Sequence, residues 1–292
     1  MSGKKKISSF HVITIMILSI LAIVTIFPFY YVFIVSFSSL EAISSHVPYL
    51  FPYVFDTEGY KMVFSEPRFL SSFLNSVFVT AAGTVINMLL SVFGAYALSK
   101  KRLAGRKIIL SMILFTMLFS GGLIPYYLVV SGLHLSNTIW AMIIPSAVNT
   151  FYLIIMKNYF SSLSPSLEEA AKIDGANDIQ ILFRVMLPIS LPFIASFVLF
   201  YSVERWNEWW NALLFINDSS LQPLQIYMRN LLVNYNNQMS QQAMLILGDK
   251  RSANFQAVQM ASIVVSTVPI LCIYPFVQRH FVKGVMVGSV KE

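Results

Sequence analysis

From Val12 to Phe37 no residue carries a charge. A helix rises about 1.5 Å per residue and the hydrocarbon core of a bilayer is about 30 Å thick, so about 20 apolar residues cross it. This run exceeds that length. Five further stretches have the same character: about Ser71–Leu98, Ile108–Ser131, Thr138–Met156, a stretch opening at Pro188 and apolar to Val203, and Ala261–Val277. Composition agrees, with 57% hydrophobic and 11% charged residues, against about 45–50% and about 25% in soluble domains. Too little charge is available to cover a water-exposed surface, which excludes a soluble enzyme and a disordered chain. The runs are continuous and do not alternate every second residue, so helices are expected and not a barrel. The expectation is an all-α integral membrane protein with six transmembrane helices.

Lys4, Lys5 and Lys6 precede the first run, but the run is too long for the apolar region of a signal peptide and no A-x-A site closes it. It reads as an uncleaved first span. Six spans put both termini on one side. If that side is the cytoplasm, fourteen of the 20 Lys and Arg lie inside, as the positive-inside rule requires. The net charge of +7 is then a topology signal and not a nucleic-acid surface. The expected organisation is residues 1–70 as an N-terminal tail, first span and outer loop; 71–280 as the main transmembrane domain; and 281–292 as a cytoplasmic tail. Within the domain the spans are 71–98, 108–131, 138–156, 188–216 and 261–277, with an inner loop at 157–187. The outer loop at 38–70, with Pro48, Pro52 and Pro67, reads as ordered but irregular. Cys272 sits in an apolar run and reads as a buried, inert thiol.

Much familiar chemistry is missing. His11, His46, His134 and His280 are scattered, so no metal site is expected. There is no P-loop. Gly284 and Gly288 have glycine spacing but no following Lys-Ser/Thr pair. No G-x-S-x-G elbow is present either. No catalytic residue or cofactor of the chain's own is expected. No Asp, Glu, Lys or Arg lies deep in a predicted span, whereas an ion-driven carrier usually keeps one there. The driving energy should therefore come from elsewhere, and a stand-alone carrier or channel is the alternative reading.

The inner loop is the most patterned soluble segment. Ser164 can cap a helix whose first position is Pro165, or Ser166 and Glu169 can form a capping box. In both cases Glu168 and Glu169 lie in the first turn, where the helix dipole favours anions. Gly175 fits a left-handed stop after Asp174. Asn177 with Gln180 reads as a second N-cap, and Pro188 opens the fifth span. Leu167, Ala170, Ala171 and Asp174 share one helix face by spacing, and the two alanines make it shallow. A shallow face admits a partner groove.

Glu169-Ala170-Ala171, then three residues, Gly175, nine residues, Val185, one residue, and Leu187-Pro188 resemble the EAA loop of ABC importer permeases, E-A-A-x3-G-x9-I-x-L-P. The departure is Val185 for Ile, one methylene. The resemblance covers roughly 70–280. Gln278 to Gly284 is similar to the ending of maltose-type carbohydrate permeases, and the whole is most similar to Gram-positive permeases for complex oligosaccharides. The resemblance implies a type I ABC importer fold in the cell membrane, importing a carbohydrate. The implied partners are a second permease subunit, two ATPase subunits that hold ATP and Mg, and an extracellular solute-binding lipoprotein. It implies that Leu167, Glu168, Glu169, Ala170, Ala171, Asp174, Gly175, Leu187 and Pro188 form or shape the contact with an ATPase.

Past Val203, Glu204, Asn207, Glu208 and Asn211 fall on one helical stripe, and Trp206, Trp209, Trp210 and Leu213 on another. The helix should therefore continue to about 216. An interfacial aromatic anchor is one reading. The other is a polar stripe on the translocation path, with Glu204, Asn207, Glu208, Asn211, Trp206 and Trp210 as candidates, because amides and carboxylates bind hydroxyls and indoles pack on sugar C–H faces. Asn75, Asn87 and Asn149 should hydrogen-bond between helices. The polar stretch 217–260, with Asn234, Asn236, Asn237, Gln241 and Gln242, resembles by position the loop that meets a binding protein in maltose-type permeases.

Overall fold

A computed structural model describes residues 9–39, 55–65, 67–242 and 256–272, with backbone alone for 9 and 235–242. Segments 40–54 and 243–255, the end of the last expected span and the tail motif Gln278–Gly284 lie outside the described residues. The described chain is helical, with one isolated bridge between Ser38 and Phe55. It falls into two compact units, 1–67 with 228–268, and 68–227 with 269–292.

In the first unit, α1 (Ser9–Ser36) is exposed around its whole circumference over most of its length. A helix that is apolar on every side suits lipid and not water. The outer-loop residues Glu58–Ser65 form α2. Gly59 lies so close to the Ala257 carbonyl that a Cβ would sit 2.9 Å from its oxygen. Ser36 shares a 2.8 Å hydrogen bond with Tyr60. The last described helix, α12 (Gln256–Cys272), ends on Cys272, which is exposed and not buried as the apolar run suggested. In a membrane helix an apolar run is as apt to face hydrocarbon as protein.

The second unit is organised on α3 (Arg68–Ser99), an unbroken helix of 32 residues. Ser72, Ser76, Gly83, Asn87, Ser91 and Ala95 are buried along one side of it. Small residues at this spacing let helices approach closely where lipid removes the hydrophobic driving force. The expected third and fourth spans are each interrupted. The third is α4 (Arg106–Leu118) and α5 (Leu123–Gly132), separated at Gly121 and Gly122, with Gly122 at φ 88°. The fourth is a 3-10 turn (Ile139–Met142), an irregular stretch holding Pro145, and α6 (Thr150–Ser162). Asn149 caps α6, accepting from the N–H groups of Phe151 (3.0 Å) and Tyr152 (3.3 Å). Glycine pairs and prolines break helices because they supply positive φ or withhold an N–H.

After α7 (Pro165–Ile173), α8 runs from Asp178 to Ile189. It widens into a π turn at Leu182–Met186, just before Pro188, whose ring and missing N–H disturb the regular ladder. The chain then bends by 89° at Ser190 into α9 (Leu191–Trp206). The fifth span therefore begins after a sharp elbow. It also does not continue as one helix to 216. α9 stops at Trp206, and α10 (Trp210–Phe215) follows a break at Asn207–Trp209. The polar stretch beyond holds α11 (Leu224–Gln242). Its first N–H is bound by Ser76 Oγ at 2.7 Å.

Candidate coupling loop and the broken spans

Local rules build the loop at 164–189. Ser164 is the N-cap of α7 in extended backbone and Pro165 is its first residue. The Ser164 hydroxyl bonds Ser166 Oγ at 2.7 Å and caps no N–H, and Ser166 lies inside the helix, so the alternative capping box of Ser166 with Glu169 does not form either. At the other end Ala176 N–H donates to Ala171 O (2.9 Å) and Gly175 N–H to Lys172 O (3.0 Å), with Gly175 at φ 81°. This pair of bonds is a Schellman stop, which needs a left-handed residue where glycine sits. Asn177 and Gln180 form the expected reciprocal cap, at 2.9 and 3.0 Å.

The nine residues assigned to the loop by resemblance divide into two sets. Glu169, Ala170, Asp174 and Gly175 are exposed, as are Leu167 and, most of all, Ile173 at 86%. Nothing lies within 4 Å of a Cβ built on Gly175. Pro188 is exposed on the elbow. Ala171 and Leu187 instead pack against the core formed by Tyr96, Phe160, Met186 and Phe197. Glu168 turns inward as well and pairs with Lys100, at the end of α3. Beside it Arg102 donates from one nitrogen to both Asp178 oxygens at 2.5 and 2.6 Å. The Lys100 ammonium lies 3.7 Å from the centre of the Tyr96 ring. Burial there pulls Lys100 down to about 8, against an upward pull from Asp178.

At the break after α9, the candidate path residues are not one stripe. Glu204 and Asn207 are exposed, and Asn207 bonds back to Val203 O at 2.9 Å. Glu208 accepts from the backbone (2.9 Å) and side chain (3.1 Å) of Asn211, and so caps α10. Asn211 is buried and accepts a 2.5 Å bond from the Tyr126 hydroxyl. Polar side chains here replace the backbone bonds that the helix gives up, which is why the 3.6 period fails beyond Trp206. Trp206 is buried, edge-on to Phe73 at 6.0 Å. Trp210 is half exposed and lines a cleft of about 520 Å³ with Gly121, Gly122, Tyr126 and Val129. Two chain breaks thus meet at one cavity.

Arg205 has no marker in the sequence, where the predicted topology places it among the six outer Lys and Arg. Arg205 is 3% exposed. Its Nη1 donates to Met142 O (2.6 Å) and Ser146 Oγ (2.9 Å). Nη2 reaches Ser146 O (2.5 Å), Ile143 O (3.2 Å) and Asn87 Oδ1 (2.9 Å), and Nε reaches Asn87 at 3.2 Å. These carbonyls belong to the irregular stretch around Pro145, where no helical N–H is available. Buried carbonyls that no helix pairs must find donors elsewhere in the protein, and one guanidinium supplies them at several points. Gly83 makes room for it, since a Cβ there would meet Arg205 Cδ at 2.8 Å. The expected inter-helix role of asparagines holds at Asn87 and also at Asn75, which donates to Ser220 O at 2.7 Å. Asn149 caps its own helix.

Comparison with known proteins follows the same outline. Residues 5–287 match the family described as binding-protein-dependent transport system inner membrane component. The chain is 44% identical to the polygalacturonan/rhamnogalacturonan transport system permease protein YtcP of Bacillus subtilis, over 92% of this chain and 94% of that one. It is 43% identical to Protein LplC of the same organism, over 97% and 95%. Its fold matches a chain in the crystal structure of a bacterial ABC transporter involved in the import of the acidic polysaccharide alginate. There the TM-score is 0.82 at 33% identity, over 96% of this chain and 99% of that one. A mostly helical chain with an EAA-type loop, spans broken around buried polar groups and these relatives belongs to the family of binding-protein-dependent transport inner-membrane components, the permeases of ABC importers.

Proposed function

We propose that this chain is one of two permease subunits of an ATP-driven importer that moves an oligosaccharide into the cell. It would cross the membrane six times with both termini in the cytoplasm. The loop at 157–187 would sit on an ATPase subunit that holds ATP and Mg, and a solute-binding lipoprotein would deliver the sugar from outside. The observation that carries the reading is the exposed half of α7. Ile173 and Leu167 offer apolar surface next to Glu169 and Ala170, and the space around Gly175 is empty. Exposed apolar side chains on a short polar helix suit a partner's groove. The names of YtcP and of the alginate transporter support a carbohydrate, and one rich in uronic acid. Trp210 and the exposed Glu204 and Asn207 stand as the sugar-facing candidates on this chain, while buried Trp206 and Asn211 would shape the path from behind.

The test is purification from the native host. An ATPase and a second permease should come down with the chain, and the reconstituted complex with its binding protein should take up oligogalacturonide only with ATP, blocked by vanadate. Uptake driven by an ion gradient without ATP would overturn the reading in favour of a stand-alone carrier.

A further inference from the structure

The coupling loop enters the core of its unit through Ile181, Leu182 and Met186 and sets Phe183 against Phe93, and its remaining contacts differ in kind. Ala171 and Ala176 pack on the core without direction. Arg102 and Asp178 meet in the open, with side chains 57% and 53% exposed, where solvent screening leaves an ion pair weak. Lys172 reaches Asp178 only at 3.9 Å. Lys100 and Glu168 are different, with side chains 14% and 18% exposed. In such a sheltered place charges act over short distances with little screening. Glu168 is in the first turn of α7, and Lys100 is the residue after the last turn of α3.

What lies behind Lys100 matters as much. α3 is the longest helix of its unit and its 32 residues are unbroken, a rod of about 48 Å at about 1.5 Å per residue. The neighbouring spans are jointed by glycine, proline or polar breaks. Along the rod, Ser91 bonds the Tyr201 hydroxyl (2.7 Å), Asn87 holds Arg205, Thr84 meets Ser202 (3.3 Å) and Ser76 holds the start of α11 (2.7 Å). A displacement of its end at Lys100 therefore arrives at α9, at the Pro145 break and at Leu224 with little lost to bending.

We propose that the Lys100–Glu168 contact is the joint by which motion of α7 is handed to α3, and that Lys100 is a positioning residue for coupling ATP hydrolysis to transport. This rests on the importer reading above. Glu168 and Glu169, adjacent in sequence, then have opposite duties: Glu168 grips the chain's own bundle and Glu169 faces outward. The groups around Lys100 are Tyr96 from α3, Arg102 from the following turn, Glu168 and Lys172 from α7 and Asp178 from α8. Burial favours the neutral form of Lys100, so the joint weakens as pH rises into the alkaline range.

The experiment uses the whole complex with its binding protein and compares sugar taken up per ATP hydrolysed. Lys100→Met should lower that ratio by about tenfold, within the usual range of coupling between sites. Glu168→Lys should do the same, and the exchanged pair Lys100→Glu with Glu168→Lys should restore most of it. The wild-type ratio should fall between pH 7 and 9, while Lys100→Arg, charged throughout, should hold it level. An unchanged ratio in Lys100→Met overturns the joint, as does an exchanged pair no better than either single variant in a complex of normal subunit content. If the wild-type chain brings down no ATPase at all, it is the importer reading that fails and not the joint.

Discussion

Two glycines separate the two working ends of the larger unit. Gly175, in the coupling loop, has its φ in the left-handed region and nothing near its missing Cβ. Gly83, on α3, is an ordinary helical residue, but a Cβ would strike Arg205 at 2.8 Å. The first glycine is required by backbone conformation and leaves space outside; the second is required by space and leaves none. The same contrast runs through their surroundings. The loop end is exposed, carries complementary charges and is finished by local caps. The Arg205 end is buried, and its cation is met by one neutral amide, one hydroxyl and three carbonyls from two segments, α3 and the stretch around Pro145. One end leaves apolar and polar surface open and the other is already complete.

The contrast can be broken most directly at Arg205. Arg205→Met should strip donors from Asn87 and from the Met142, Ile143 and Ser146 carbonyls, and cost about 3–5 kcal/mol, the range for breaking a buried charged network. Thermal unfolding of the detergent-solubilised protein should register this as a large fall in melting temperature. Arg205→Lys should recover only part of it, because a single ammonium cannot span the same acceptors. Gly83→Val comes next, at about 1–3 kcal/mol of overpacking against a side chain whose donors are all engaged, read in the same assay.

Gly175 should behave oppositely. Gly175→Ala strains φ alone and should cost about 1–2 kcal/mol. Gly175→Trp should add little to that loss in the isolated chain, where the space is open. Uptake by the assembled transporter should nevertheless be abolished in Gly175→Trp, as in Ala170→Asp. If Gly175→Trp melted far below Gly175→Ala with no partner present, the outward role of that surface would be refuted. The smallest effect belongs to Arg102→Ala, about 0–1 kcal/mol for an exposed pair, and it should shrink further in high salt.

How far the sequence could be read depended on the range of each determinant. The stops and starts of the loop were legible because Pro165, Asp174-Gly175 and the Asn177–Gln180 pair each act within a few residues, on backbone groups of their own turn. Ser164 shows the limit, since its hydroxyl turned to Ser166. The helix breaks were less legible. Hydropathy averages over a window, so Gly121-Gly122 and Pro145 vanish inside apolar runs although each carries a recognisable breaker. The break at Asn207–Trp209 contains neither glycine nor proline, and a helical period drawn through it put Asn211 on an open stripe when it is buried against Tyr126.

Membrane class, the α1 and α3 helices and the punctuated coupling loop followed from the sequence by itself, because apolar length, charge content and capping are properties of neighbouring residues. The division of the loop into inward and outward carboxylates, the burial of Arg205 and the need for Gly83 were decided only by the tertiary structure. Each depends on groups tens of residues apart meeting where water is excluded, and there the same charge that marks a chain as surface becomes the donor that holds its broken helices together.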